Sequence, residues 1–169
     1  MDVPIDKFLN WPPFFTLQPN LDTQSQQLAL WASVLLEYAK KNRIFVGTIE
    51  TFEGATRNKS LNRSLSAEFK NALVSYMVKQ KVFVSDGLSF LVFWQKPETW
   101  AEGLYKWASD SGRIGTVETV EGLVTGDETT GEEFYGMPLN FAFNVLKTLE
   151  KSRKAEMFKV GEGYAIKFF

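Results

Sequence analysis

The sequence predicts an α+β, mostly helical fold in which one small module is used twice. Two stretches of helical period open the two halves of the chain, and each half closes on a strand pair joined by a glycine-bearing turn. In front of both stands "NWPPFFTLQPN", Asn10 to Asn20, crowded with proline and aromatic side chains.

The first half opens on a helix that Asp22 and Thr23 can cap and that runs to about Asn42, with Leu28, Trp31, Ala32, Leu35, Leu36 and Tyr38 on one side. Gln24, Gln26, Gln27, Lys40 and Lys41 are expected on the other side. Val46 to Thr51 reads as a short strand or helix, and Glu53 to Ser64 as loop with one helical turn near Leu61 to Leu65. Ser66 then begins a helix ending near Lys81, whose stripe is Phe69, Ala72, Leu73, Tyr76 and Met77. "KVFVSDGLSFLVFW" reads as a hairpin with Asp86-Gly87 at its turn, Phe83 opposite Phe90, and Ser85 and Leu88 flanking the turn.

Pro97 breaks that strand, and Glu98 to Ser109 is helical again with Trp100, Leu104, Trp107 and Ala108 on its stripe. The segment "RIGTVETVEGLV" and the acidic loop "TGDETTGEEFYG" follow. Pro138 opens a helix to about Lys151 that turns Ala142, Val145, Leu146 and Leu149 inward. A closing hairpin with its turn at Gly161-Glu162-Gly163 would put Phe158, Val160, Tyr164, Ile166 and Phe168 on one face. Met157, Lys159, Ala165 and Lys167 would take the other. Three helices closed by a β-hairpin describe a winged helix. The expected architecture is therefore an extended N-terminal segment (1–19), a first winged-helix domain (20–97) and a second (98–169).

Composition narrows the function. With 44% hydrophobic and 15% aromatic residues in 169, there is enough apolar surface for a real core. The 19 basic and 20 acidic residues leave a net charge of −1 and no global field for a polyanion. The count of Cys and of His is 0, which removes thiolate nucleophiles, disulfides, histidine general bases and the usual structural zinc ligands. Asp127, Glu128, Glu132 and Glu133 lie among Thr and Gly and read as a solvated loop. No catalytic residue, cofactor or metal is expected, and the chain is read as not an enzyme. The N-terminus, with Asp2 and Asp6, lacks the basic-then-apolar pattern of a leader, and no apolar run nears about 18 residues. A cytoplasmic location is expected.

The alternative is a winged-helix nucleic-acid-binding transcription regulator. Its reading helices would offer Lys70, Asn71 and Lys79 in one domain and Asn140, Asn144 and Lys147 in the other, ordinary numbers for solvated helices. The wing tips, Asp86-Gly87 and Gly161-Glu162-Gly163, are neutral to acidic. Nucleic acid is not expected as a partner.

Pro12 and Pro13 favour polyproline II, which leaves two readings of Trp11, Phe14 and Phe15: they cover the first domain's own helices, or they anchor another protein. A buried Phe contributes about 1.5 to 3 kcal/mol, against about 4 to 15 kcal/mol for association. Anchoring would thus need a face of the first domain as well.

"WPPFFTLQPN" followed by a Gln-rich amphipathic helix, two winged-helix repeats, "KPETW" at the join and a terminal "GYAIKFF" resembles the small-subunit family of the ESCRT-II complex, the vacuolar protein sorting-associated protein 25 family. The resemblance runs nearly collinearly from Trp11 to Phe169. It implies a non-enzymatic subunit present in two copies, each docking on one of two larger winged-helix subunits through a Pro-Pro-X-Phe segment and the first winged helix. That carries over onto Pro12, Pro13 and Phe15, with Phe14 at the variable position and Trp11 adjacent. It further implies that the second winged helix recruits the ESCRT-III subunit that starts filament assembly, in sorting ubiquitylated cargo into multivesicular bodies. Contact with the endosomal membrane is expected to be indirect. Acidic residues such as Glu118 and Glu121 are the candidates to assist ESCRT-III recruitment.

Overall fold

The structure, a computed structural model, describes residues 5–169. The first four residues of the expected 1–19 segment lie outside the described residues. The remainder of that segment is not extended throughout: it forms a short helix, α1 (Ile5–Leu9), and a 3-10 turn over Pro12–Phe15. The two prolines occupy the first positions of the turn, where a missing N–H costs nothing and a fixed φ already suits a helix. The Phe14 N–H donates to the Trp11 carbonyl at 3.0 Å and the Thr16 N–H to the Pro13 carbonyl at 3.2 Å, closing the turn that polyproline II would leave open. Trp11 and Thr16, on its flanks, keep extended backbone angles.

Asn20, in place of the expected Asp22 and Thr23, caps the next helix. Its side chain accepts from the N–H groups of Asp22 and Thr23, and α2 runs Leu21–Asn42. A short strand β1 (Val46–Gly47), a 3-10 turn (Ile49–Phe52) and α3 (Glu53–Thr56) follow. The Thr48 hydroxyl at the start of that 3-10 turn holds the exposed Glu50 carboxyl below its ordinary value. In place of the expected helical turn over Leu61 to Leu65 there is a two-stranded ribbon, β2 (Arg57–Asn58) with β3 (Arg63–Ser64), and Leu61 lies in the turn that joins them. Asn58 directs it: its side chain accepts from the Leu61 N–H and donates to the Leu9 carbonyl at 2.7 Å, tying the ribbon to the end of α1.

Ser66 caps α4 (Ala67–Lys79) through the Phe69 N–H, and the wing β4 (Phe83–Asp86) with β5 (Ser89–Val92) closes the unit. Gly87 and Leu88 form the turn, with Gly87 at φ 64°, so Ser85 pairs with Phe90 and Phe83 with Val92. The expected Phe83–Phe90 contact survives on the diagonal, the rings stacked at 5.1 Å.

The second unit repeats this plan. It comprises α5 (Pro97–Asp110), β6 (Val117–Thr119), α6 (Val120–Thr125), α7 (Leu139–Lys151) and the wing β7 (Ala155–Val160) with β8 (Gly163–Phe168). The sheet orders match, β1-β5-β4 and β6-β8-β7, with every pairing between named strands antiparallel. Helix ends match as well. After α2 and α4, left-handed Arg43 and Lys81 are followed by N–H groups that reach five residues back, Ile44 to Ala39 and Val82 to Met77. After α5 and α7, left-handed Gly112 and Arg153 are followed by the same closures, Arg113 to Ala108 and Lys154 to Leu149.

In the second wing the turn is Gly161-Glu162, with Gly161 at φ 60°, one residue shorter than expected. Met157, not Phe158, therefore stands opposite Ile166, because a one-residue slip moves every side chain of a strand to its other face.

The chain divides into two compact units between Trp94 and Gln95. Residues of the N-terminal segment belong to the first: its core gathers Phe14, Phe15, Trp31, Leu35, Phe52, Phe69, Leu73, Met77 and Phe83. The second holds Trp100, Leu104, Leu123, Phe141, Leu146, Ile166 and Phe168 inside. No helix among the described residues is long and apolar enough to cross a membrane.

Candidate partner-docking site

Phe14 and Phe15, 2% and 5% exposed, are core residues. Phe14 lies flat on Trp31, ring centroids 4.6 Å apart, and Phe15 meets the same indole edge-on at 5.2 Å. Phe8 of α1 flanks Phe14 at 5.5 Å. At about 1.5 to 3 kcal/mol for each buried ring, these contacts fasten the segment to α2. Trp11 is 54% exposed, and Pro12 and Pro13 are exposed as well. The five residues singled out by sequence thus divide by geometry: two rings point inward as a buttress, and Trp11, Pro12 and Pro13 stand outward on it.

The hydrogen bonds under this ledge come from α2. Trp31 donates its indole N–H to the Phe14 carbonyl at 2.9 Å. Gln27, expected on the solvent side of α2, is buried and donates to the carbonyls of Thr16 at 2.8 Å and Phe14 at 3.1 Å. Its own carbonyl accepts from the Gln18 N–H at 3.2 Å. Gln27 was invisible to helical periodicity because its partners are backbone groups 9 to 13 residues away. Beside the ledge runs a groove of about 680 Å³ whose walls include Pro12, Pro13, Leu17, Arg63, Leu65 and Glu68. A partner reaching Trp11 and the prolines can extend along it onto the first unit.

The second unit presents another surface. Val120, Leu139, Phe143, Val160 and Tyr164 line a groove of about 320 Å³, with Glu121 and Glu162 on it and no Lys or Arg. Leu139, Val160 and Tyr164 are exposed there, and Tyr164 meets Phe143 edge-on at 4.9 Å. Glu118 is committed elsewhere. Arg113 donates to it at 2.9 Å, also pairs with Glu128, and lies over the Trp107 ring at 5.8 Å. Of the two carboxylates expected to serve a partner, the structure leaves Glu121, in the first turn of α6, on this groove.

Neither wing tip is basic: the first ends in Asp86, Gly87 and a fully exposed Leu88, and the second in Gly161 and Glu162. That does not favour a duplex-binding role.

Comparison with known proteins agrees with the architecture. A family model described as an ESCRT-II complex subunit matches residues 8–138. The vacuolar protein-sorting-associated protein 25 of Xenopus laevis is 33% identical over 165 residues, which is 95% of this chain and 95% of that protein. The crystal structure of subunit VPS25 of the endosomal trafficking complex ESCRT-II superposes with a TM-score of 0.85 at 27% identity, covering 99% of this chain and 98% of that one. A chain in the crystal structure of endosomal complex ESCRT-II, containing VPS22, VPS25 and VPS36, superposes with a TM-score of 0.81 at 26% identity, covering 98% of each. With two tandem winged-helix units, a proline-aromatic ledge and a match along nearly its whole length, the chain belongs to the ESCRT-II complex subunit family, which is structural and not enzymatic.

Proposed function

We propose that this chain is the small subunit of an ESCRT-II assembly, present in two copies, each docking on one of two larger winged-helix subunits. Docking uses Trp11, Pro12 and Pro13 directly, Phe14 and Phe15 as the buttress beneath them, and the adjoining face of the first domain, residues 20–97. The observation that carries this is the outward ledge held rigidly on the core. The related VPS25 has been solved together with VPS22 and VPS36, which supports the same kind of partner here. The second domain, residues 98–169, recruits the ESCRT-III subunit that initiates filaments. The complex works in the cytoplasm and at endosomal membranes, sorting ubiquitylated cargo into multivesicular bodies, and this chain touches the membrane only indirectly.

Docking is tested by titrating the paired larger subunits with wild-type chain, Trp11→Ala and Pro12→Ala/Pro13→Ala. All three sites are exposed, so the variants keep their unfolding midpoints. Binding is expected to weaken by about tenfold to a hundredfold, the range for truncating a central anchor. Unchanged affinity in all variants would sink the docking role.

The second domain is tested separately with Leu139→Asp, which places charge on the apolar groove carrying Glu121 and Glu162. Capture of a purified ESCRT-III initiating subunit is expected to fall at least tenfold while assembly with the larger subunits is unchanged. Full capture by the folded variant moves the recruiting surface elsewhere.

A further inference from the structure

We propose that Gln27 is the positioning residue of the docking segment: the recognition element is Trp11–Phe15 together with one buried amide on α2. This rests on the docking role proposed above and adds to it a residue outside the Pro-Pro-X-Phe pattern.

Burial alone does not fix the orientation of the ledge. Packing of the Phe14 and Phe15 rings against Trp31 is non-directional in the sense that matters here: it holds the rings without fixing rotation of the backbone before them. Rotation is fixed by hydrogen bonds. Pro12 and Pro13 have no N–H, so this part of the chain is rich in carbonyls seeking donors. The Phe14 carbonyl uses both lone pairs, one on Trp31 at 2.9 Å and one on Gln27 at 3.1 Å. The Thr16 carbonyl receives Gln27 at 2.8 Å and the Gln18 side chain at 2.9 Å, while the Pro13 carbonyl lies 3.5 Å from the same Gln27 nitrogen. In the other direction, the Gln18 N–H donates to Gln27 at 3.2 Å.

Only a primary amide meets these demands from one buried site. It supplies two N–H donors toward the segment and one carbonyl acceptor back from it. Leucine or methionine keeps the volume and helix propensity and loses every bond. Glutamate would set a carboxylate against the oxygens of Pro13, Phe14 and Thr16. The requirement is therefore for chemistry, not size, and its effect is felt at Trp11, Pro12 and Pro13, which Gln27 itself does not present to solvent.

The test compares Gln27→Leu and Gln27→Met with Leu73→Val, a change in α4 within the same core, chosen to lower the stability of the first unit while removing none of the hydrogen bonds to the segment. Affinity for the paired larger subunits is measured by calorimetry, and amide exchange is measured at Phe14, Thr16 and Gln18 in the free chain. Both Gln27 variants are expected to bind about tenfold more weakly, the equivalent of about one hydrogen bond's worth of free energy. Gln18 and Thr16 are expected to exchange faster, while Leu73→Val binds as wild type. Equal weakening in Leu73→Val, or wild-type affinity and exchange in both Gln27 variants, overturns the proposal. Trp11→Ala is run beside them. If it weakens binding while the Gln27 variants do not, Gln27 alone is wrong; if Trp11→Ala has no effect, the docking role fails and this proposal with it.

Discussion

Phe15→Asp is expected to unfold the first unit while the second keeps its own transition. The aspartate replaces a ring that is edge-on to Trp31 at 5.2 Å and to Phe14 at 6.3 Å, in a cluster that also contains Phe69 and Leu73. Removing a buried Phe costs about 3 to 5 kcal/mol. An unpaired carboxylate in the same place adds several more, and the total rivals the whole stability of a small unit, about 5 to 15 kcal/mol. The second unit has its own core around Trp100, Leu104 and Phe141, so its backbone amide resonances should stay dispersed while those of Leu21–Asn42 collapse. A variant that keeps both units folded would mean that Phe15 is not part of the core. The same result sets a rule for interpreting binding experiments: partner loss in Phe15→Asp reports unfolding, and only the exposed residues Trp11, Pro12 and Pro13 report docking.

The parts of this fold that follow a single chain period were readable in the sequence. Leu28, Trp31 and Leu35, then Phe69, Leu73 and Met77, then Val145, Leu146 and Leu149 recur at helical spacing, and each set is buried where that spacing puts it. The repeated module followed from two such series. What stayed hidden depends on groups distant in sequence or on backbone angles that residue type does not announce. Arg43, Lys81 and Arg153 are left-handed at helix ends, although long cationic side chains carry no signal for positive φ. Gln27 looks like a solvent residue until the carbonyls of Phe14 and Thr16 arrive from another segment. Glu118 reads as a free carboxylate until Arg113 is seen beside it. For the site itself, sequence singled out the proline-aromatic string but left its rings undecided between core and anchor. The geometry separates them, Phe14 and Phe15 inward and Trp11 outward.

Strand register in the second wing makes the last sharp prediction, because alternation alone fits two pairings. With a three-residue turn, Phe158 would oppose Ile166 and share its buried face; with the two-residue turn at Gly161-Glu162, Phe158 opposes Ala165 and stands exposed. Phe168 is fully buried, pairs with Ala155, and its carbonyl accepts from the Gly115 N–H at 2.7 Å. Phe168→Ala is therefore expected to cost the second unit about 3 to 5 kcal/mol, and Phe158→Ala to cost less than about 1 kcal/mol. Chemical denaturation of the two variants measures both. The asymmetry follows from register and not from composition, since the same Phe-to-Ala change is made ten residues apart on two strands of one hairpin. Equal, large costs would restore the three-residue turn and turn Met157 to solvent.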